Sequence, residues 1–192
     1  MSKTTFGPQT LLYPMPALII GANVDGKPNF MTAAWAGIAN AEPPMISVAI
    51  RQVRHTLKGI RQNMTFSVNM PSTDMVTETD YCGITPGIQA DKAKDCNFEV
   101  FYGKLETVPL VEQCPVNLEC KVEHMLELGS HILVIGKIEE TYVSDSCLTG
   151  GRPDVSKIKP LVFTMSPASQ YQSLGEVIGK AFSIGKELRA KK

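Results

Sequence analysis

The sequence predicts a mainly β fold, a small antiparallel barrel with short helices between its strands, in preference to a doubly wound α/β sheet. Three observations predict it. Short apolar, β-branched runs recur along the chain; the first two meet at Asp25-Gly26, a favoured hairpin turn; and Val116 to Leu128 alternates apolar and polar residues at the period of a half-buried strand. No GxGxxG or GxxxxGK[ST] loop points to a nucleotide-binding α/β fold instead.

In chain order, Ala17 to Val24 reads as the first strand and Asn29 to Trp35 as its hairpin return. Glu42-Pro43-Pro44 breaks regular structure, and Met45 to Ile50 follows as a third strand. Thr56 is the expected cap of a short helix with Leu57 and Ile60 on its buried side, after which Phe66 to Asn69 returns to strand. Ser72 to Tyr81 reads as a second helix capped by Ser72 or Thr73, Gly83 to Ala90 as a loop around Pro86-Gly87, and Asp91 to Cys96 as one helical turn. In Val116 to Leu128 the apolar set is expected inward and Asn117, Glu119, Lys121, Glu123 and Glu127 outward, with His124 continuing the apolar face as an interior or interface histidine. Gly129-Ser130 then turns the chain into His131 to Val143, which is apolar on both faces, as in a central strand or a subunit contact. Leu161 to Met165 supplies a further strand. The spacing of Val177, Ala181, Ile184 and Leu188 predicts an amphipathic helix over about 175–190, with Lys180, Lys186, Arg189, Lys191 and Lys192 weighted toward its end.

Composition narrows the function. The 192 residues, 43% of them hydrophobic, suit a single domain with a sizeable core, and nineteen basic residues balance nineteen acidic ones. No global field gathers nucleic acid or anionic lipid, and the apolar stretch at Ala17 to Ala22 is far too short to span a membrane. A cytoplasmic protein is expected. Cys82, Cys96, Cys114, Cys120 and Cys147 are odd in number and form no CxxC pair, which favours idle thiols over a zinc site or a disulfide framework. Met15, Met31, Met45, Met64, Met70 and Met75 are scattered and read as core filler.

Two constellations carry candidate chemistry. Arg51, Arg54, His55 and Thr56 lie between a strand end and a helix start, where free amides, a hydroxyl and two guanidinium forks match a phosphate monoester. On the residues alone a solvated charged surface is the other reading. Asn29-Phe30-Met31-Thr32-Ala33-Ala34-Trp35 ends in small residues and the single tryptophan, which suits either a flat ligand against the backbone or a core strand with a packing tryptophan.

Taken in order, Pro28 to Trp35, Pro43-Pro44, Arg51 with His55-Thr56, Phe66-Ser67-Val68-Asn69, Asp91-Lys92, Gly129 to Gly136 and Tyr171 to Gly175 resemble the flavin reductase-like family of FMN-binding split barrels, and within it the flavoredoxin group. The resemblance implies a homodimeric six-stranded Greek-key split barrel holding FMN near the subunit interface. It implies that Arg51, His55 and Thr56 anchor the FMN phosphate and that Asn29, Met31, Thr32, Ala33, Ala34 and Trp35 line the isoalloxazine. Lys92 falls where a cation favours reduced, anionic flavin, and His131 matches a histidine near the ring, although a surface turn histidine reads equally well.

Two departures bear on the reaction. Ser130 stands where many members carry an acid before the histidine, and Pro86-Gly87-Ile88-Gln89-Ala90 replaces the usual loop on the substrate side. The expected activity is accordingly electron carrying through FMN between a reduced donor, such as a redox partner protein, and an acceptor. An NAD(P)H-dependent flavin or ferric reductase is the alternative, and a non-catalytic flavin-binding module the third reading.

Overall fold

In the computed structural model, which describes residues 1–188, the first long apolar run is buried on both faces because alternate side chains enter two different cores. β1 (Met15–Pro16) leads into β2 (Leu18–Val24), whose Leu18, Ile20 and Ala22 join the main core while Ile19 joins a satellite core with Phe30, Met75, Cys82, Phe98, Val111 and Cys114. The hairpin turns at Asp25 and Gly26, both at positive φ (51° and 79°), into β3 (Lys27–Ala33).

The chain then changes partners. Ala34-Trp35 breaks the strand, the Trp35 carbonyl accepts from Ala49 N at 2.8 Å, and β4 (Ala36–Asn40) pairs with β5 (Met45–Arg51) instead of β2. The expected return strand Asn29 to Trp35 therefore stops two residues early, and the exposed β4 follows it. Too little of β4 is apolar, with only Ile38 among its larger side chains, for the pattern to announce a strand.

α1 (His55–Asn63) packs across β2 so closely that a Cβ on Gly59 would lie 2.4 Å from the Asn23 carbonyl oxygen. Met64 closes it in a left-handed conformation, and β6 (Thr65–Met70) follows. The residue preceding the helix is Arg54, whose side chain makes no capping bond. Thr56 is not the cap: it lies inside the first turn, where its hydroxyl is drawn to Asn29. Ser72 does cap, accepting from Asp74 N at the start of a short 3₁₀ turn that runs into α2 (Val76–Ile84). Asp91 likewise caps α3 (Lys92–Asp95).

A ribbon of β7 (Val100–Phe101) and β8 (Leu110–Val111) precedes the long hairpin of β9 (Val116–Glu127) and β10 (His131–Val143). The main sheet has seven antiparallel strands in the order β3-β2-β6-β9-β10-β5-β4, one more than the six expected. The extra strand is β4, separated from β3 by the break at Ala34-Trp35. The alternation in β9 is also not the simple one expected. Asn117 and Glu119 are buried, because the segment from Lys104 to Val111 covers that face; Glu119 accepts from the Lys104 and Leu105 amides and from the Tyr142 hydroxyl. His124 is exposed rather than interior, as are Leu126 and Leu128.

β11 (Leu148–Thr149) and β12 (Arg152–Pro153) form a small hairpin before α4 (Val155–Ile158). β13 (Val162–Thr164) and β14 (Gln170–Gln172) join β1 in a three-stranded sheet. The predicted C-terminal amphipathic helix is not formed as such. Residues 173–180 carry no regular structure, and a 3₁₀ helix spans Ile184–Leu188. Val177, Ile178 and Phe182 find no apolar surface among the described residues, and a short helix without packing is marginal in water. Arg189, Lys191 and Lys192 lie outside the described residues. No helix among the described residues is long and apolar enough to cross a membrane.

Candidate functional site

The end of β5, the turn into α1 and the loop after α2 enclose a cavity of about 460 Å³. Arg51, Arg54, His55 and Thr56 line it from the strand end and helix start, Gly83, Ile84 and Pro86 to Ile88 from the end of α2 and its loop, and Met31 and Lys92 complete the lining. A smaller space of about 140 Å³ lies against Met31 to Trp35, Ala49 and His131. Met31, Arg51 and Arg54 line both, so the two spaces adjoin.

Three local arrangements fix this geometry. Asn29, buried near the start of β3, accepts from the Thr56 hydroxyl at 2.8 Å and donates to the Gly87 carbonyl at 3.2 Å, tying strand, helix and loop together. A Cβ on Gly87 would sit 2.7 Å from Asn29 Oδ1, so the loop approaches this closely only because the residue is glycine. Lys92 is almost fully buried; its ammonium donates to the Phe30 carbonyl at 2.9 Å and the Cys82 carbonyl at 2.7 Å, stapling β3 to α2. Burial holds the Lys92 pKa below the ordinary lysine value. An ammonium has three donors, so one remains beyond these two bonds.

At the other end, strand register places His131 opposite Arg51. The His131 ring stacks on Trp35 with centroids 4.6 Å apart and 22° between planes, and Nδ1 lies 2.8 Å from the Ser130 hydroxyl. Burial, and then the Arg51 charge, lower the His131 pKa from 6.5, which favours neutral imidazole at neutral pH. Trp35 Nε1 lies 3.3 Å from Met165 Sδ. Thr32 donates its hydroxyl to the Thr79 carbonyl, so that side chain is spent on α2, while Ala33 belongs to the main core.

The structure thus brings Met31, Ala33, Ala34, Trp35, Arg51 and His131 around one space and Arg51, His55, Thr56 and Lys92 around the next. Asn29 and Thr56 are bonded to each other, which ties the loop at Gly87 to the start of α1. Arg54 is the residue that sequence reasoning undervalued. Its place in the basic run was visible, but its bond to the Gly83 carbonyl at 2.7 Å depends on α2 folding back beside α1.

The donor set fits a flavin mononucleotide. Arginine forks and helix-start amides suit a dianionic phosphate, while the small side chains of Ala33 and Ala34 leave room for a flat ring in the space they line. Residues 10–167 match the flavin reductase like domain. The chain belongs to that family.

Among solved structures, this flavin reductase-like chain is similar to a flavoredoxin of Methanosarcina acetivorans, at 40% identity and a TM-score of 0.93 over 98% of this chain and 100% of that one. It is also similar to the flavoredoxin of Desulfovibrio vulgaris (Miyazaki F), at 36% identity and a TM-score of 0.89 over 96% and 100%. A protein of Archaeoglobus fulgidus is 30% identical over 145 residues, 76% of this chain and 81% of its own. A family member of this kind is a flavin-binding redox protein.

Proposed function

We propose that the protein is an electron carrier, taking electrons from a reduced donor and passing them to an acceptor through bound FMN. The observation that carries this reading is the adjoining pair of cavities, cationic and amide-rich at the α1 end and flat, small-walled and flanked by Trp35 and His131 at the other. Bound there, FMN supplies the one- and two-electron chemistry. Arg51 and the amides at the start of α1 hold the phosphate; Ala33 and Ala34 let the ring approach the backbone; neutral His131, fixed by Trp35 and Ser130, offers a hydrogen bond at the ring edge. The unspent Lys92 donor adds positive charge on the same side.

We read the sheet as the family's six-stranded split barrel. β3 and β4 stand at its two ends yet are consecutive halves of the run Lys27–Asn40, so counting them as one strand gives six. A homodimer is part of the proposal, supported by exposed apolar side chains on β4, at the β9 end and along 174–188. The donor is a redox partner protein inside the cell, where the five free thiols stay reduced.

The test begins with the purified protein loaded with FMN and freed of excess cofactor by gel filtration. A stoichiometric yellow complex is expected, and Arg51→Ala is expected to weaken FMN binding by about tenfold or more without unfolding the protein. Anaerobic stopped-flow mixing with NADH and NADPH is expected to leave the flavin band unbleached over seconds. Fast bleaching replaces the carrier with a nicotinamide-dependent reductase, and a protein that never retains FMN removes the reading altogether.

A further inference from the structure

Trp35 lines the ring space without the burial that usually fixes an indole. It is 36% exposed and lies in the break between β3 and β4, where its backbone is held by the bond from Ala49 N to its carbonyl. The orientation of the ring then depends on the contacts of the indole itself. Its face carries the His131 imidazole, and its edge makes one hydrogen bond, from Nε1 to Met165 Sδ at 3.3 Å. Indole has that single donor and no acceptor, so the thioether takes all the hydrogen bonding the side chain can offer.

Met165 is held from elsewhere in the molecule. It follows β13, in the three-stranded sheet of β1, β13 and β14, which contributes no lining residue to either of the adjoining cavities. Its carbonyl accepts from the Ala168 and Ser169 amides at 3.1 and 3.2 Å, and the Tyr13 hydroxyl donates to the next carbonyl, that of Ser166, at 3.0 Å. From this fixed point the contacts run inward. The sulfur holds the indole edge, the indole lies over His131, and the Ser130 hydroxyl 2.8 Å from Nδ1 leaves Nε2 as the free nitrogen of that ring.

We propose that Met165 is a positioning residue for the flavin ring: by anchoring the Trp35 indole it holds His131 at the angle from which Nε2 meets the ring edge. The proposal rests on the FMN reading of the ring space and extends that site to a sheet outside its walls. A thioether is a weak acceptor, so the anchor restricts the indole more than it stabilises the fold, and its loss is read in the site.

Met165→Leu keeps the volume and removes the acceptor, whereas Met165→Gln restores one in its amide oxygen. Trp35 is the sole tryptophan, so intrinsic fluorescence of the FMN-free protein reports it alone. Met165→Leu is expected to shift that emission to longer wavelength. It is also expected to raise the His131 NMR titration midpoint toward 6.5, because the loosened indole uncovers the imidazole while Arg51 and Arg54, the cations lining the same space, stay in place. In the loaded protein it is expected to weaken FMN by about three- to tenfold, the worth of one neutral hydrogen bond, and to move the flavin band. Met165→Gln is expected to return all four readings close to the parent. A purely structural role gives the opposite order, since leucine packs much as methionine does and glutamine brings an amide into the contact. Parent-like emission and titration in Met165→Leu overturn the proposal, as does a larger departure in Met165→Gln. Shifted emission with unchanged FMN affinity and band also overturns it, since Met165 then orients Trp35 without consequence for the ring. If the protein holds no FMN, its absorption spectrum removes the proposed function and the flavin role with it, while emission and titration still decide whether Met165 anchors Trp35 and His131.

Discussion

Replacing Lys92 with Met separates a structural staple from a flavin contact. The substitution keeps length and apolar stem but removes both ammonium bonds, leaving the Phe30 and Cys82 carbonyls without their donor in a nearly water-free site. Each stranded carbonyl costs about 1–3 kcal/mol, or about 2–6 kcal/mol together. Relief from burying an ammonium, a few kcal/mol, offsets part of this. We expect a net loss of about 2 kcal/mol, which in a chain of this length lowers Tm by about 4–8 °C. Urea unfolding of the FMN-free proteins followed by circular dichroism measures it, and fluorescence titration measures FMN affinity beside it. If the variant is as stable as the parent yet loses FMN by tenfold or more, the staple argument is wrong and Lys92 serves chiefly as a flavin contact.

Gly59→Ala is expected to cost about 1–3 kcal/mol, because its Cβ meets the Asn23 carbonyl oxygen, and to weaken FMN binding by shifting the start of α1; chemical unfolding and FMN titration test both effects. Alkaline stability is set by Cys82, Cys114 and Cys120, whose thiols burial pushes well above the ordinary 9.0. Their stabilisation is complete below about pH 9 and lost above it, as the unfolded chain ionises first, by about 1.4 kcal/mol per pH unit per thiol. Cys120→Ala is expected to reduce that slope by about one such increment, read from urea midpoints between pH 8 and 10. The lowered Lys92 pKa works in the opposite direction over the same range, so Lys92→Met is expected to steepen the decline. His131, with its folded pKa below 6.5, makes the fold less stable as pH falls through 6.5 toward the folded value. In Arg51→Ala its titration midpoint, followed by NMR, is expected to rise but to stay below 6.5, since burial is the larger cause.

Local pattern was enough wherever a residue's role depends on its chain neighbours. Asp25-Gly26 requires two positive φ angles, Ser72 and Asp91 bond amides two or three residues ahead, and the runs at 45–50 and 131–143 need only a sheet to enter. The order of motifs from Pro28 to Gly175 was likewise legible and identified the family. The expected Thr56 cap, the outward Glu119 and the C-terminal helix failed for one reason: each depended on a surface contributed by a distant segment. Asn29 takes the Thr56 hydroxyl from across the fold, the Lys104 to Val111 segment covers Glu119, and none of the described residues covers Val177 and Phe182.

The sequence by itself determined a β-rich chain with a basic strand-to-helix turn and a small-residue strand ending in tryptophan. Only the tertiary structure decided that these two lie side by side, that Lys92 spends two of its donors on backbone, and that Met165 meets the Trp35 indole. Strand and turn propensities act over a few residues, whereas a site is made by contacts between residues such as Asn29 and Gly87, 58 positions apart, whose approach depends on how the whole sheet curves and what packs against it.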